Sequence, residues 1–291
     1  MKVVNVSSVP QRSPFRYPGG KTWLVPVIRN WLRARGSAAI ELVEPFAGGG
    51  IVSLTAVCEN LVGTATMVEL DSDVAAVWGT ILNGEGAWLT RQISRLSITA
   101  DTVEGLTRVR AGASLRRTAL ATLVRNRINR GGILAPGAGK VKSGENGKGL
   151  TSRWYPETLR KRILSIMEVR DRLHFIYGDG IEVLRQYSKL RNKMFFIDPP
   201  YTVAGRRLYT HSEIDHNYLF DLADNLSGDF LMTYDNCSRI LRRARNHGFE
   251  VEEIPMKSTH HSTKIELLIG RDLGWLRGVN KLGSDSAFKL I

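Results

Sequence analysis

The 291-residue sequence predicts an α/β fold, a mostly parallel sheet faced by helices, with one mainly helical basic segment inserted in it. Three observations predict it. Short apolar runs alternate with stretches of helical spacing on both sides of the middle of the chain. A glycine-rich turn follows the first of these runs and opens a helix. Between Gly84 and Arg172 there are 18 Lys and Arg against 7 Asp and Glu, which leaves the other 202 residues near neutral in a chain of net charge +13.

Each element follows in order. Residues 22–35 have helical spacing, with Pro26 in the first turn where its missing N–H costs nothing. Residues 40–44 predict a strand, 51–60 a helix, 65–70 a strand and 72–82 a helix. The basic segment predicts helix from about 86 to 128, a glycine-rich stretch over 131–149, and helix again from about 156 to 172. Buried strands are expected at 174–178 and 193–201, with a helix at 180–190 between them. A helix at 216–226, a strand at 229–236 and a helix at 238–247 come next. Segments 249–255 and 264–269 close the sheet as a hairpin, and 271–291 carries no usable pattern. The expected division is a discontinuous body, 1–83 with 173–291, and an inserted basic unit, 84–172.

Composition narrows the function. At 43% hydrophobic and 24% charged residues, the chain has the makeup of a folded globular protein. It has no run of eighteen apolar residues and no secretory pattern at its start, so a cytoplasmic protein with no membrane partner is expected. Cys58 and Cys237 are too few for a thiolate zinc site. The basic excess calls for a polyanionic partner, most simply nucleic acid.

Two motifs carry chemistry. In Glu44-Pro45-Phe46-Ala47-Gly48-Gly49-Gly50, glycines between a strand and a helix leave room for a ligand at the helix N-terminus. Glu69 lies at the end of the next strand, placed to accept hydrogen bonds from the ribose hydroxyls of an adenosine. A dinucleotide fingerprint would want Gly or Ala where Ser53 stands, which counts against a nicotinamide cofactor. Asp198-Pro199-Pro200-Tyr201 follows the apolar run KMFFI. Two prolines stiffen the backbone there and leave the Pro199 carbonyl free; Asp198 adds a second acceptor and Tyr201 a flat ring. Two acceptors beside a ring suit an exocyclic amino group on a flat heterocycle.

FRYPGGK, EPFAGGG, VELDSD, YGDG and DPPY, in that order, resemble the Dam-type DNA adenine-N6 methyltransferases, whose recognition domain lies between the cofactor motifs and the catalytic tetrad. The resemblance spans most of residues 13–270, including TYDN at 233–236 and KIELLI at 264–269. It implies a Rossmann-like methyltransferase fold, S-adenosylmethionine as cofactor, and an adenine flipped from double-stranded DNA as substrate. It implies cofactor contacts for Tyr17, Lys21, Phe46, Gly48, Gly50, Glu69, Asp179 and Asp198, with Lys21 near carboxylates, and catalysis by Asp198, Pro199, Pro200 and Tyr201. Arg16 would touch the DNA backbone. A bacterial or phage origin, a monomer and a companion restriction endonuclease fit the same resemblance. The insert does not align with the segment that reads GATC in Dam, which leaves the target sequence open.

Within the insert, Arg125, Asn126, Arg127, Asn129, Arg130 and Arg153 are the candidates for DNA contact, with 131–149 as a groove-entering hairpin. The same chemistry on cytosine N4 or on RNA adenine is the alternative, although the cytosine enzymes commonly have Ser in place of Asp198. A DNA-binding regulator without turnover needs neither the tetrad nor the glycine loop. Three further signals are set aside. Gly20-Lys21-Thr22 lacks the earlier glycine of a phosphate loop, since Phe15 stands there. Among His211, Glu213, Asp215 and His216, Asp215 is expected to cap a helix, and no metal site is expected. His260 and His261 lie between Lys257 and Lys264 and are expected in a surface loop facing DNA.

Overall fold

The computed structural model describes residues 6–17, 19–107, 112–144, 147–201, 213–257 and 263–276. Seven strands form one sheet: β1 (Glu41–Glu44), β2 (Thr64–Glu69), β3 (Leu173–Tyr177), β4 (Lys193–Ile197), β5 (Asp229–Asp235), β6 (Glu250–Lys257) and β7 (Thr263–Gly270). Their spatial order is β3-β2-β1-β4-β5-β7-β6, and β7 runs antiparallel to both strands beside it. This is a Rossmann-like α/β fold. The strand order reverses between β1 and β4, which opens a crevice at their carboxyl ends.

Local chemistry sets the helix starts. Pro26 occupies the first turn of α1 (Val25–Arg35). Gly50, at φ 61°, bends the chain into α2 (Ile51–Cys58). Asp71 caps α3 (Ser72–Thr80) through the amides of Asp73 and Val74. The insert supplies α4 (Gly86–Arg95), α5 (Ala100–Thr107), α6 (Leu115–Ile128) and α7 (Pro156–Glu168). Asp179 caps α8 (Gly180–Tyr187) and Asp215 caps α9 (His216–Asp224), as its place before the apolar run predicts. The last helix is α10 (Ser238–Asn246). No helix among the described residues is long and apolar enough to cross a membrane.

Two apolar layers cover the sheet. Leu42, Met67, Phe196 and Leu268 join α1, α2 and α3 on one face. Val43, Val68, Phe195 and Ile197 join α8, α9 and α10 on the other. The insert shares the first layer through Leu89, Ile93, Leu120, Leu123, Ile163 and Ile166. A small cluster of its own holds Ile98, Val103, Val124 and Ile128.

Three expectations are corrected. The helix foreseen from 86 to 128 is broken, because Thr99 and Thr102 exchange side-chain and backbone hydrogen bonds and start a new helix. Among the described residues, the 131–149 stretch closes on a single bridge between Asn129 and Lys140 rather than a ladder, since Gly131, Gly132, Gly137 and Gly144 adopt left-handed turns. The strand at 174–178 is not buried: β3 is an edge strand, and His174 and Tyr177 are exposed.

Candidate active site

A cleft of about 680 Å³ lies at the carboxyl ends of β1, β2 and β4. Its wall includes Arg16, Tyr17, Lys21, Phe46, Gly48, Gly50, Glu69, Asp179, Asp198 and Pro200, drawn from motifs far apart in the chain. The structure thus brings the expected cofactor residues together.

The glycine turn forms the floor. Gly48 is left-handed at φ 47°, and a Cβ there would fall 2.4 Å from the Tyr17 ring. Only a bare backbone admits that ring. The Gly48 amide donates to Glu69 Oε2 at 3.0 Å, and the Trp78 indole donates to the Gly48 carbonyl at 2.9 Å. Glu69 Oε1 accepts from the Leu70 and Asp71 amides at 2.8 and 2.9 Å. Burial pushes the Glu69 carboxyl up to about 7, against the pull of those amides. Asp179 lies on the cleft wall and accepts from the Ile181 amide at 2.8 Å.

Asp198, just past β4, is held through one oxygen. Its Oδ1 receives Lys21 Nζ at 2.8 Å, the Thr233 hydroxyl at 2.7 Å and the Tyr201 hydroxyl at 3.2 Å. Its Oδ2 has no hydrogen-bond partner among the described residues, and Asp198 borders the cleft. Nothing among the described residues bonds the Pro199 carbonyl either. Pro199 and Tyr201 themselves do not line the cleft wall. The Tyr201 ring lies against Tyr234, centroids 5.9 Å apart at 23°, so one of its faces is already covered. Burial raises the Tyr201 phenol well above its ordinary value, and the nearby carboxylates add to the shift.

Lys21 is buried, and it meets Glu266 at 3.5 Å as well as Asp198. Burial works to lower its pKa, but the two carboxylates overcome this and raise it. Glu266 was not foreseen, although an acid inside the apolar run KIELLI was a visible signal. Glu44 was also missed. It ends β1, lines the cleft, and takes the Ser53 hydroxyl at 2.6 Å.

The insert candidates separate. Asn126 is fully buried: its oxygen accepts the Arg16 amide at 2.9 Å, and its nitrogen donates to the Arg16 and Gly132 carbonyls at 3.0 and 2.8 Å. Arg127 is buried too and donates to the Pro14 carbonyl at 2.6 Å; burial pushes its pKa down to about 9. Asn129 is buried and donates to the Ile133 carbonyl at 2.7 Å. Asn126 and Asn129 spend their side chains on the fold around the first motif, because the last turn of α6 faces inward, whereas Arg127 also lines the cleft. Arg125 pairs with Asp73 at 2.8 Å away from the cleft. Arg130 is exposed, and Arg153 lines the cleft mouth beside Tyr155. His211, His260 and His261 lie outside the described residues.

Residues 17–67 match the family of D12 class N6 adenine-specific DNA methyltransferases. That match covers Tyr17, Lys21 and the glycine turn. The chain is an S-adenosylmethionine-dependent methyltransferase. Two solved structures are similar to the methyltransferase at low identity. One is an rRNA methyltransferase from Streptomyces viridochromogenes, at 12% identity and TM-score 0.39, over 88% of this chain and 86% of that one. The other is a precorrin-6y C5,15-methyltransferase from Geobacter metallireducens, at 11% identity and TM-score 0.37, over 84% of this chain and 85% of that one. No curated protein matches the sequence.

The cleft residues of the methyltransferase fit S-adenosylmethionine chemically. A Cβ at Gly48 would collide with the Tyr17 ring and one at Gly50 with Met67 and Trp78, so the turn admits no side chain into the cradle. Glu69 offers carboxylate oxygens at the cleft wall, which suits a ribose diol.

Proposed function

We propose that the methyltransferase methylates the N6 amino group of an adenine flipped out of DNA. The observation that carries this reading is the open acceptor Asp198 Oδ2 of a residue on the cleft wall, with the unbonded Pro199 carbonyl next to it in the chain. An amino group with two hydrogens is the complement of two acceptors. Aspartate at position 198, rather than serine, favours adenine.

Glu69 would hold the cofactor ribose, Tyr17 and Phe46 would enclose its pocket, and Asp179 would sit beside its adenine. When bound, S-adenosylmethionine supplies an electrophilic methyl group on a sulfonium. The adenine N6 lone pair is delocalised into the ring and is a poor nucleophile. Hydrogen bonds from the amino group to Asp198 Oδ2 and to the Pro199 carbonyl localise that pair and aim it, which is catalysis by positioning and electrostatics. As the new N–C bond forms, positive charge grows on N6. Asp198 stabilises it and accepts a proton from the amino group.

Reaching the cleft requires the base to leave the duplex, at a cost of a few kcal/mol. Residues 84–172 serve as the target-recognition unit that offsets this cost, through exposed Arg130 and the cleft-mouth Arg153 and partly by counterion release. Nucleosides from unmethylated DNA incubated with protein and S-adenosylmethionine, analysed by mass spectrometry, should contain N6-methyladenine. Asp198→Ala should lower its formation by at least a thousandfold while DNA binding persists. N4-methylcytosine as the product, or near-normal turnover by the variant, overturns the reading.

A further inference from the structure

β7 is the strand that runs against the rest of the sheet, and it carries Glu266 between Ile265 and Leu267. A buried acid in a central strand is costly unless it is partnered. Its partners are the Tyr201 hydroxyl at 3.1 Å and Lys21 Nζ at 3.5 Å. Both of these also hold Asp198 Oδ1, at 3.2 and 2.8 Å. In the strand register, Glu266 lies beside Asp235 on β5 and Ile254 on β6, so the sheet supplies it with no cation.

One ammonium therefore serves two carboxylates. A Lys21–Asp198 pair by itself is neutral, and such a pair is a weak stabiliser of a third charge. A second carboxylate on the same lysine draws part of its charge away from Asp198 and leaves the cluster able to carry net negative charge beside the cleft. It also fixes Lys21, which stays on Asp198 Oδ1 while the Tyr201 hydroxyl shares its one proton between the two carboxylates. Resting on the methyl-transfer reading above, we propose that Glu266 is a positioning residue of the reaction, holding Lys21 against Asp198 Oδ1 and supplying the negative charge that stabilises the cation arising at the substrate nitrogen.

Glu266→Gln keeps the shape and an acceptor oxygen but removes the charge. Two measurements test it beside the wild type and Glu266→Asp. The first is kcat and the cofactor KM. The second is the ratio of affinities for sinefungin, whose ammonium stands in place of the sulfonium methyl, and for neutral S-adenosylhomocysteine. The Gln variant should melt like wild type, lose kcat about tenfold with KM little changed, and lose about tenfold of its preference for sinefungin. Glu266→Asp should recover part of both. An unchanged affinity ratio in Glu266→Gln overturns the proposal, whatever its turnover. The ratio needs no methylated product, so an inactive wild type would refute the base-methylation reading while the ratio still decided the role of Glu266.

Discussion

Glu44 is buried at the end of β1, where its Oε2 takes the Ser53 amide at 3.0 Å. Burial is the main force pushing its carboxyl from 4.5 up to about 7, and the nearby Asp198 charge adds to it. The folded state therefore binds a proton more tightly than the unfolded chain. The stability this group contributes is present in full below about pH 4.5 and is lost as the pH rises through about 7. Glu44→Gln removes the ionisation and keeps an acceptor for Ser53. It should raise unfolding free energy by on the order of 3 kcal/mol at pH 8 and have no effect at pH 4, as read from urea melts at both values. The same sign holds for Glu69, which loses an acceptor for ribose hydroxyls as it protonates below about 7, so cofactor affinity should weaken there. Glu69 was legible because a strand end and a glycine turn fix its place in the sequence. Glu44 and Glu266 were not, because what surrounds them, Ser53 and the Asp198 charge for one and Lys21 and Tyr201 for the other, is brought there only by the fold.

The turn after α6 ties the insert to the first cofactor motif. Asn126 grips both main-chain groups of Arg16, and Gly132, at φ 76°, brings its backbone against the same residue. A Cβ at Gly132 would fall 2.1 Å from the Arg16 carbonyl oxygen. Gly132→Ala should therefore destabilise the protein by about 2 kcal/mol. Asn126→Ala, which strands the Arg16 main-chain groups, should do so by a similar amount. Both should weaken cofactor binding, because Tyr17 follows Arg16 directly. Denaturant titration and calorimetry with S-adenosylhomocysteine check the two effects. Apolar spacing foretold most elements, since helical and strand periods are local. The inward turn of Arg127 and Asn129 escaped such a reading: a basic run shows charge but not which face meets the core.

Across the molecule, the excess of positive charge falls in one inserted segment, while the acidic site sits at the strand ends of a near-neutral body. DNA affinity should fall linearly with the logarithm of salt concentration, and Arg130→Ala should lower that slope by about 1 while weakening all sequences alike. Fluorescence anisotropy over a salt series with two unrelated duplexes checks both. The insert shares an apolar layer with the body and adds a small cluster of its own, and its α6 packs against α3 of the body. Sheet class, glycine turn, Asp198 tetrad and charge distribution were all readable before any folding, because each is carried by neighbours in sequence. Pairing one lysine with two carboxylates was not, because Asp198 and Glu266 meet only when β4, β5 and β7 pack side by side; nor was burying Asn126 and Arg127, because α6 meets Pro14 and Arg16 only in the folded chain.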